Sequence, residues 1–261
     1  SVIGCGASCI CYKAYETEPL ISDGNREIKA WMAIKEFYPL NSDIKEWEKA
    51  QIRWREGIDK GREFQAKDGN DFMEIEAVDA SYSVMRLRRG MTLEKWVGEK
   101  VREAQGDSSD DEYGRTKYVV KCLDILRDLC ACIEKYQDAG IIHLDVKPEN
   151  IYILDDNNNK RIVRLIDYDS LMNKDEFYKI ASGDGKISMY STKEYYGEEV
   201  WSQRSDWKAA AKGENVWKQV DVYALGKVLQ YMLTGNADDA LFFDDNFEWF
   251  KDKDSIIVRT S

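Results

Sequence analysis

Between residues 143 and 150 the chain reads His143-Leu144-Asp145-Val146-Lys147-Pro148-Glu149-Asn150. This short stretch holds a carboxylate able to accept a proton and an ammonium able to neutralise a charged group in transit. It also holds an amide oxygen able to bind a metal. Such a set serves phosphoryl transfer, in which positioning and electrostatic stabilisation do most of the work.

The flanking patterns explain how such a stretch would be held. Ahead of it, Thr116 to Ala139 carries Val119, Cys122, Leu126, Leu129, Ile133 and Tyr136 at alternating steps of three and four, a helix that is core rather than chemistry. Gly140 stands where the residue ending a helix is expected. Behind it, Ile151–Leu154 and Arg161–Ile166 read as strands joined by the polar run from Asp155 to Lys160. An antiparallel hairpin sets the start of one strand beside the end of the other, so Asn150 is expected next to Asp167. Two oxygen donors beside Asp145 suit Mg²⁺, which takes few protein ligands together with phosphate oxygens.

The first third of the chain reads as strand, strand, helix, strand, strand, a small α+β arrangement. Gly4 and Gly6 interrupt a strand-like run. By themselves they mark an ordinary tight hairpin as well as a backbone that approaches a phosphate. Ala30–Phe37 reads as a strand carrying Lys35 among apolar residues, either an edge charge reaching water or an ammonium meant for a phosphate. Asn41, Ser42 and Asp43 can each cap a helix with Ile44, Trp47, Trp54 and Ile58 as apolar positions, which Gly57 and Gly61 weaken. Phe72–Val78 and Tyr82–Leu87 read as two further strands, and a helix begins near Thr92. Residues 106–114 read as an acidic surface loop and 170–216 as loop. Asp221–Leu233 is expected to be a second strong helix with Val222, Leu225, Leu229 and Met232 on its apolar stripe, stopped by Gly235.

Composition narrows the classes. The chain has 261 residues, 43% of them hydrophobic, enough to bury a core. Its formal net charge of −11 argues against a nucleic-acid partner. The six cysteines match no paired zinc spacing, and reduced structural thiols in a cytoplasmic setting are expected. No apolar run reaches the roughly 20 residues of a membrane span, and no signal peptide is visible. Because Ser1 stands inside a strand-like run, the chain is expected to be cut from a longer protein.

Several motifs in order resemble a eukaryotic-like Ser/Thr protein kinase, of the kind also found in bacteria. His143–Asn150 is similar to the HRDLKPEN catalytic loop, and Asp167-Tyr168-Asp169 to DFG. Met32-Ala33-Ile34-Lys35 resembles VAIK, and Gly4–Cys11 resembles the glycine-rich loop. Thr192–Glu199 resembles the end of an activation segment, and Asp221–Gly226 the DVWSLG start of the next helix. The resemblance implies a two-lobed fold: a mainly β N-lobe with one helix over residues 1–85, a hinge over 86–90, and a mainly α C-lobe over 91–261. It implies ATP and Mg²⁺ as cofactors and Ser/Thr-containing proteins as substrates. Asp145 would be the base, Lys147 would neutralise the transferring phosphoryl, and Asn150 and Asp167 would hold the metal. Lys35 would contact the α and β phosphates under the Gly4–Gly6 hairpin, with Cys11 and Ala33 roofing the adenine. Met85 would be the gatekeeper, with Arg86 and Arg88 in the hinge. Of the helix glutamates that could pair with Lys35, Glu56 fits best, followed by Glu48 and Glu63.

The departures point to a second reading, a pseudokinase that senses nucleotide or acts as a scaffold. Cys9 replaces the third glycine, Asp169 the DFG glycine, and the helical region after Asp221 is short. A third reading, a small-molecule phosphotransferase, fits Lys147-Pro148 and Thr192–Glu199 less well. Leu144 replaces the arginine that in the family pairs with an activation-segment phosphate. Activity is therefore expected not to require phosphorylation of that segment. Phosphatase treatment should leave the rate unchanged, and loss of activity on treatment would contradict this.

Overall fold

The structure is a computed structural model. It describes residues 1–5, 9–15, 22–23, 26–27, 31–38, 44–68, 75–79, 81–106, 112–155, 161–181, 195 and 216–235. Expectations for Gly6, for the caps at 41–43, for residues 182–194 and 196–215, and for the segment after 235 fall outside these residues. The chain divides into two units, Ser1–Arg89 and Gly90–Ser261.

The first unit is a five-stranded antiparallel sheet and one long helix. The strands are β1 (Val2–Cys5), β2 (Cys9–Tyr15), β5 (Trp31–Phe37), β6 (Ile75–Val78) and β7 (Tyr82–Arg86). They lie in the order β1-β2-β5-β7-β6, and a two-stranded ladder pairs β3 (Ser22–Asp23) with β4 (Arg26–Glu27). The β2–β5 and β5–β7 registers make rows across the sheet. One row runs Gly4, Cys11, Lys35, Ser83, and its neighbour includes Ala33 opposite Met85.

Helix α1 (Ile44–Asp68) runs unbroken through both glycines expected to weaken it. Gly57 and Gly61 lie on its buried face with Trp54, Ile58 and Phe64, so their missing side chains meet packed surface rather than water. Packing over that face outweighs the roughly 1 kcal/mol that each glycine costs in a helix. Phe37 of β5 takes the ring edge of Trp47 and lies 5.7 Å from Trp54, fixing the helix against the end of its strand. Strand β6 is described from Ile75, and the expected start at Phe72 falls among residues 71–74, outside those described.

The second unit is mainly helical. Helices α2 (Leu93–Gly106), α3 (Glu112–Asp138), α4 (Lys174–Ala181) and α5 (Val216–Thr234) surround three short ladders. Strands β8 (Gly90–Thr92), β10 (Ile151–Asp155) and β11 (Arg161–Leu165) form one sheet in the order β11-β10-β8. Strand β9 (Ile141–Ile142) pairs with β12 (Met172–Asn173). The core joins Cys122, Ile125, Leu129, Ile133 and Tyr136 of α3 to Ala224, Leu225, Val228 and Met232 of α5.

Three expectations change here. Helix α3 starts at Glu112 rather than Thr116, because Gly114 stands in open solvent where it slackens a first turn without stopping it. The segment after Asp169 is not all loop. The Asn173 amide donates to Glu176 Oε2 at 2.9 Å, the reach-back half of a capping box. Phe177, one residue on, is buried, and together these nucleate α4. In α5, Val222 is exposed, while Asp221, Lys227 and Gln230 are buried. Leu225 and Met232 of the expected stripe are buried, so the inner face keeps part of the stripe and adds polar residues to it. Gly140 and Gly235 end α3 and α5 with φ of +72° and +73°, as their positions implied.

Gly90 opens the second unit with φ +154°, and a Cβ there would run into the Ile153 carbonyl and the Tyr152 ring across the sheet. Gly90→Ala should therefore lower stability by about 2–4 kcal/mol, read as a fall in Tm by calorimetry.

Candidate active site

The stretch from His143 to Asn150 is held from below by one side chain of α5. Asp221 is 2% exposed, and its two carboxylate oxygens accept the backbone amides of His143 at 2.7 Å and Leu144 at 3.0 Å. The bidentate grip holds Leu144 at φ +63°, a left-handed conformation that a branched residue adopts only when its surroundings impose it. The sequence placed Asp221 at a helix start but did not reveal this grip. The signal available was a carboxylate in phase with apolar residues that proved to be buried.

Above the grip, Asp145 sits between two partners. Lys147 Nζ lies 3.0 Å from Asp145 Oδ2. Asn150 Nδ2 donates to the same oxygen at 2.7 Å and to the Asp145 carbonyl at 2.9 Å. A 3₁₀ turn over Pro148–Asn150, with Pro148 as its first residue, brings Asn150 back toward Asp145. Asp145 and Asn150 are both buried, and Lys147 is half-buried, so few waters compete for these contacts.

The hairpin of β10 and β11 pairs Ile151 with Leu165, and the Ile166 amide donates to the Asn150 carbonyl at 2.8 Å. Asp167 follows at once, so the two expected metal donors are neighbours at the open end of the hairpin. Asn150 spends its amide nitrogen on Asp145, which leaves Oδ1 as the atom that can face a cation. An oxygen donor beside a carboxylate suits a hard ion such as Mg²⁺. Asp167 has φ +71°, and its Oδ1 accepts the Asp169 amide at 3.4 Å. The left-handed residue is therefore Asp167, and Asp169 is not one of the positive-φ residues. The bend does not demand glycine at 169.

His143 is fully buried beneath the loop, with the edge of its ring against Tyr136, centroids 5.6 Å apart at 84°. Neither ring nitrogen makes a hydrogen bond of good geometry, although the Ile166 backbone lies close enough to favour protonation weakly. Burial pushes its pKa down, and the carboxylates of Asp221, Asp145 and Asp167 oppose that shift only in part.

The first unit carries its own set of expected residues. Lys35 is 6% exposed, opposite Cys11 on one side and Ser83 on the other. Ala33 and Met85 pair with each other and are buried. Gly4 lies opposite Cys11. Arg86 and Arg88 are half-buried. Glu56, like Glu48 and Glu63, lies on the exposed side of α1.

Comparison with known proteins identifies the family and the fold. The sequence profile of the family described as "Protein kinase domain" matches residues 81–246, more than half of the chain. The chain belongs to the protein kinase family. It is 23% identical over 154 residues to the probable serine/threonine-protein kinase PknB of Lactococcus lactis, covering 59% of this chain and 20% of that protein. It is 24% identical over 154 residues to the serine/threonine-protein kinase Pkn1 of Myxococcus xanthus, covering 59% of this chain and 18% of that protein. The chain thus spans about a fifth of these relatives. Among solved structures, the PknI kinase domain of Mycobacterium tuberculosis superposes with a TM-score of 0.52 at 15% identity, covering 90% of this chain and 74% of that one. Its likeness shows the two-lobed α+β kinase fold. No helix among the described residues is long and apolar enough to cross a membrane.

His143 is the chain's one histidine. Its folded pKa lies below the ordinary value of about 6.5, so the unfolded chain binds the extra proton first as pH falls. The stability it contributes is complete above about pH 6.5 and is lost below it, with a slope of at most about 1.4 kcal/mol per pH unit. His143→Phe, which keeps a ring against Tyr136, should flatten the Tm–pH curve below about pH 6.5.

Proposed function

We propose that this chain transfers the γ-phosphate of ATP to Ser or Thr hydroxyls of protein substrates. The observation that carries the reading is Asp145, held between Lys147 at 3.0 Å and Asn150 at 2.7 Å on a loop clamped by Asp221. A carboxylate so fixed can orient a hydroxyl and take its proton as the oxygen attacks phosphorus. The new P–O bond forms as the bond to the departing diphosphate breaks. Lys147 lies next to the base and offsets charge on the group in transit. Asn150 Oδ1 and Asp167 would hold Mg²⁺, which supplies charge neutralisation on the phosphate oxygens.

In the first unit, Lys35 is the group for the α and β phosphates, and the β1–β2 hairpin at Gly4 covers them. Ala33, Cys11 and Met85 supply apolar contact for the base, and Arg86 to Arg88 supply backbone for its polar edge. Proteins bearing Ser or Thr are the substrate class, since Lys147-Pro148 follows the Ser/Thr pattern. The nucleotide-sensor reading drew strength from Asp169 in place of glycine. It loses that support, because the left-handed residue of the motif is Asp167.

The purified chain, given labelled ATP, Mg²⁺ and a generic protein acceptor, should transfer label to Ser and Thr. Asp145→Asn and Asp167→Ala should each lower the rate by about 10²-fold or more. Transfer no faster than in these variants would overturn the reading, and ATP binding without transfer would favour the sensor.

A further inference from the structure

Three side chains of the second unit stand beside the catalytic loop and take no part in the roles assigned above. Glu94 lies in the first turn of α2, Glu149 in the 3₁₀ turn after Lys147, and Tyr231 on α5 next to the buried Met232. Both glutamates are exposed, and Tyr231 is half-buried. Helix α2 packs on the 3₁₀ turn, which brings the two glutamate-bearing turns together. Burial, and then the carboxylates of Glu94 and Glu149, push the Tyr231 phenol above its ordinary pKa, so both charges stand near one hydroxyl.

The helix dipole explains an acidic residue in a first turn, taken singly. It does not explain two like charges that converge on one phenol. Among the described residues neither glutamate makes a hydrogen bond or an ion pair that would offset their repulsion. The neighbouring carboxylate of Asp145, by contrast, has Lys147 at 3.0 Å and Asn150 at 2.7 Å. The two glutamates also stand where an acceptor segment must pass. Glu149 follows Asp145 by four residues, a stretch that spans at most about 14 Å. A peptide whose hydroxyl lies at Asp145 covers that distance with about four extended residues.

We propose that Glu94 and Glu149 are specificity-determining residues that, with Tyr231, hold a basic side chain of the substrate within about four residues of the Ser or Thr to be phosphorylated. The inference rests on the reading of Asp145 as the base, and it narrows the substrate class to basic segments of proteins. Arginine fits better than lysine. Its planar guanidinium carries five N–H donors in a fixed fork, enough for two carboxylates, and it packs on an aromatic ring where an ammonium is a point charge. A chain of net charge −11 also draws a basic segment toward it.

Two sets of peptides test this on the intact chain. The first carries one Ser, with arginine, lysine, alanine or glutamate at each of the four positions on either side, and is assayed for kcat/KM in transfer from ATP with Mg²⁺. The second has alanine in place of that Ser and is assayed for binding by fluorescence anisotropy, which needs no transfer. At the best position arginine should exceed alanine about tenfold in both assays, and the preference should shrink as salt rises. Glu94→Gln and Glu149→Gln should each lower the arginine-to-alanine ratio about threefold. Glu149→Lys should make glutamate the preferred residue at that position, a gain that misfolding cannot mimic. A ratio near one at every position, or a ratio unchanged in the double Gln variant, overturns the proposal. Transfer without a preference for arginine removes the subsite alone. Transfer no faster than in Asp145→Asn, with arginine-dependent binding that the double variant loses, removes the reading of the base and keeps the subsite.

Discussion

The second unit depends on a carboxylate that has been taken out of water. Asp221 is 2% exposed on a helix in the core, where an unpaired charge would cost several kcal/mol. It is tolerated because both oxygens receive charge-assisted bonds from adjacent backbone amides, those of His143 and Leu144. The arrangement runs in both directions. The amides satisfy Asp221, and Asp221 compels Leu144 into the left-handed conformation that turns the chain toward Asp145. Neither side is stable alone: without the turn the carboxylate is orphaned, and without the carboxylate the turn carries about 1–3 kcal/mol of strain unopposed. A rigid base is the result, because the segment that carries it is bonded to the centre of the helical core.

From that anchor the remaining geometry follows by short steps. Pro148 starts a 3₁₀ turn that returns Asn150 to Asp145, and Asn150 hands the chain to β10. Five cross-strand pairs carry the register from Ile151↔Leu165 to Asp155↔Arg161, and the Ile166 amide closes the hairpin on the Asn150 carbonyl. Asp167 is thus tied to Asn150 through backbone hydrogen bonds rather than by side-chain chance. A slip of one residue in this hairpin would turn alternate side chains to the opposite face. Ile151, Ile153, Val163 and Leu165 are buried, which makes such a slip costly.

The parts legible in the sequence were those governed by local periodicity and short spacing. The α3 stripe, the glycine stops and the β10–β11 hairpin are local patterns, and they placed Asn150 beside Asp167. What was illegible depended on partners distant in the chain. Asp221 reaches back 78 residues to His143, and nothing near it in sequence announces that partner. The α5 stripe held at Leu225 and Met232 and failed at Val222, which is exposed, while Asp221, Lys227 and Gln230 are buried, so hydrophobicity alone misses part of the inner face. In α1 the two glycines looked like interruptions because propensity was weighed without packing. Helix α4 was missed although Asn173, Glu176 and Phe177 spell a capping box before an apolar residue. That signal was present and was outweighed by the polar composition around it.

The departures from the family motifs show why substitutions are better judged by backbone conformation than by letter. Aspartate for glycine at 169 reads as damage if the glycine is taken to supply a left-handed residue. In this chain the left-handed residue is Asp167, with φ +71°, and Asp169 lends its amide to the Asp167 carboxylate. An aspartate tolerates the left-handed region better than most residues, since its short polar side chain can bond locally. Leu144 for arginine has the opposite character. There the unusual φ of +63° is maintained by Asp221 through backbone amides, which any residue possesses, and the exchanged side chain is buried at 3% exposure. The backbone requirement is met without the arginine, so what the exchange removes is a positive charge and not the shape of the loop. The two substitutions that look most disruptive in the sequence therefore leave the placement of Asp145 and Asp167 intact, because that placement is carried by main-chain bonds to Asp221 and Asn150.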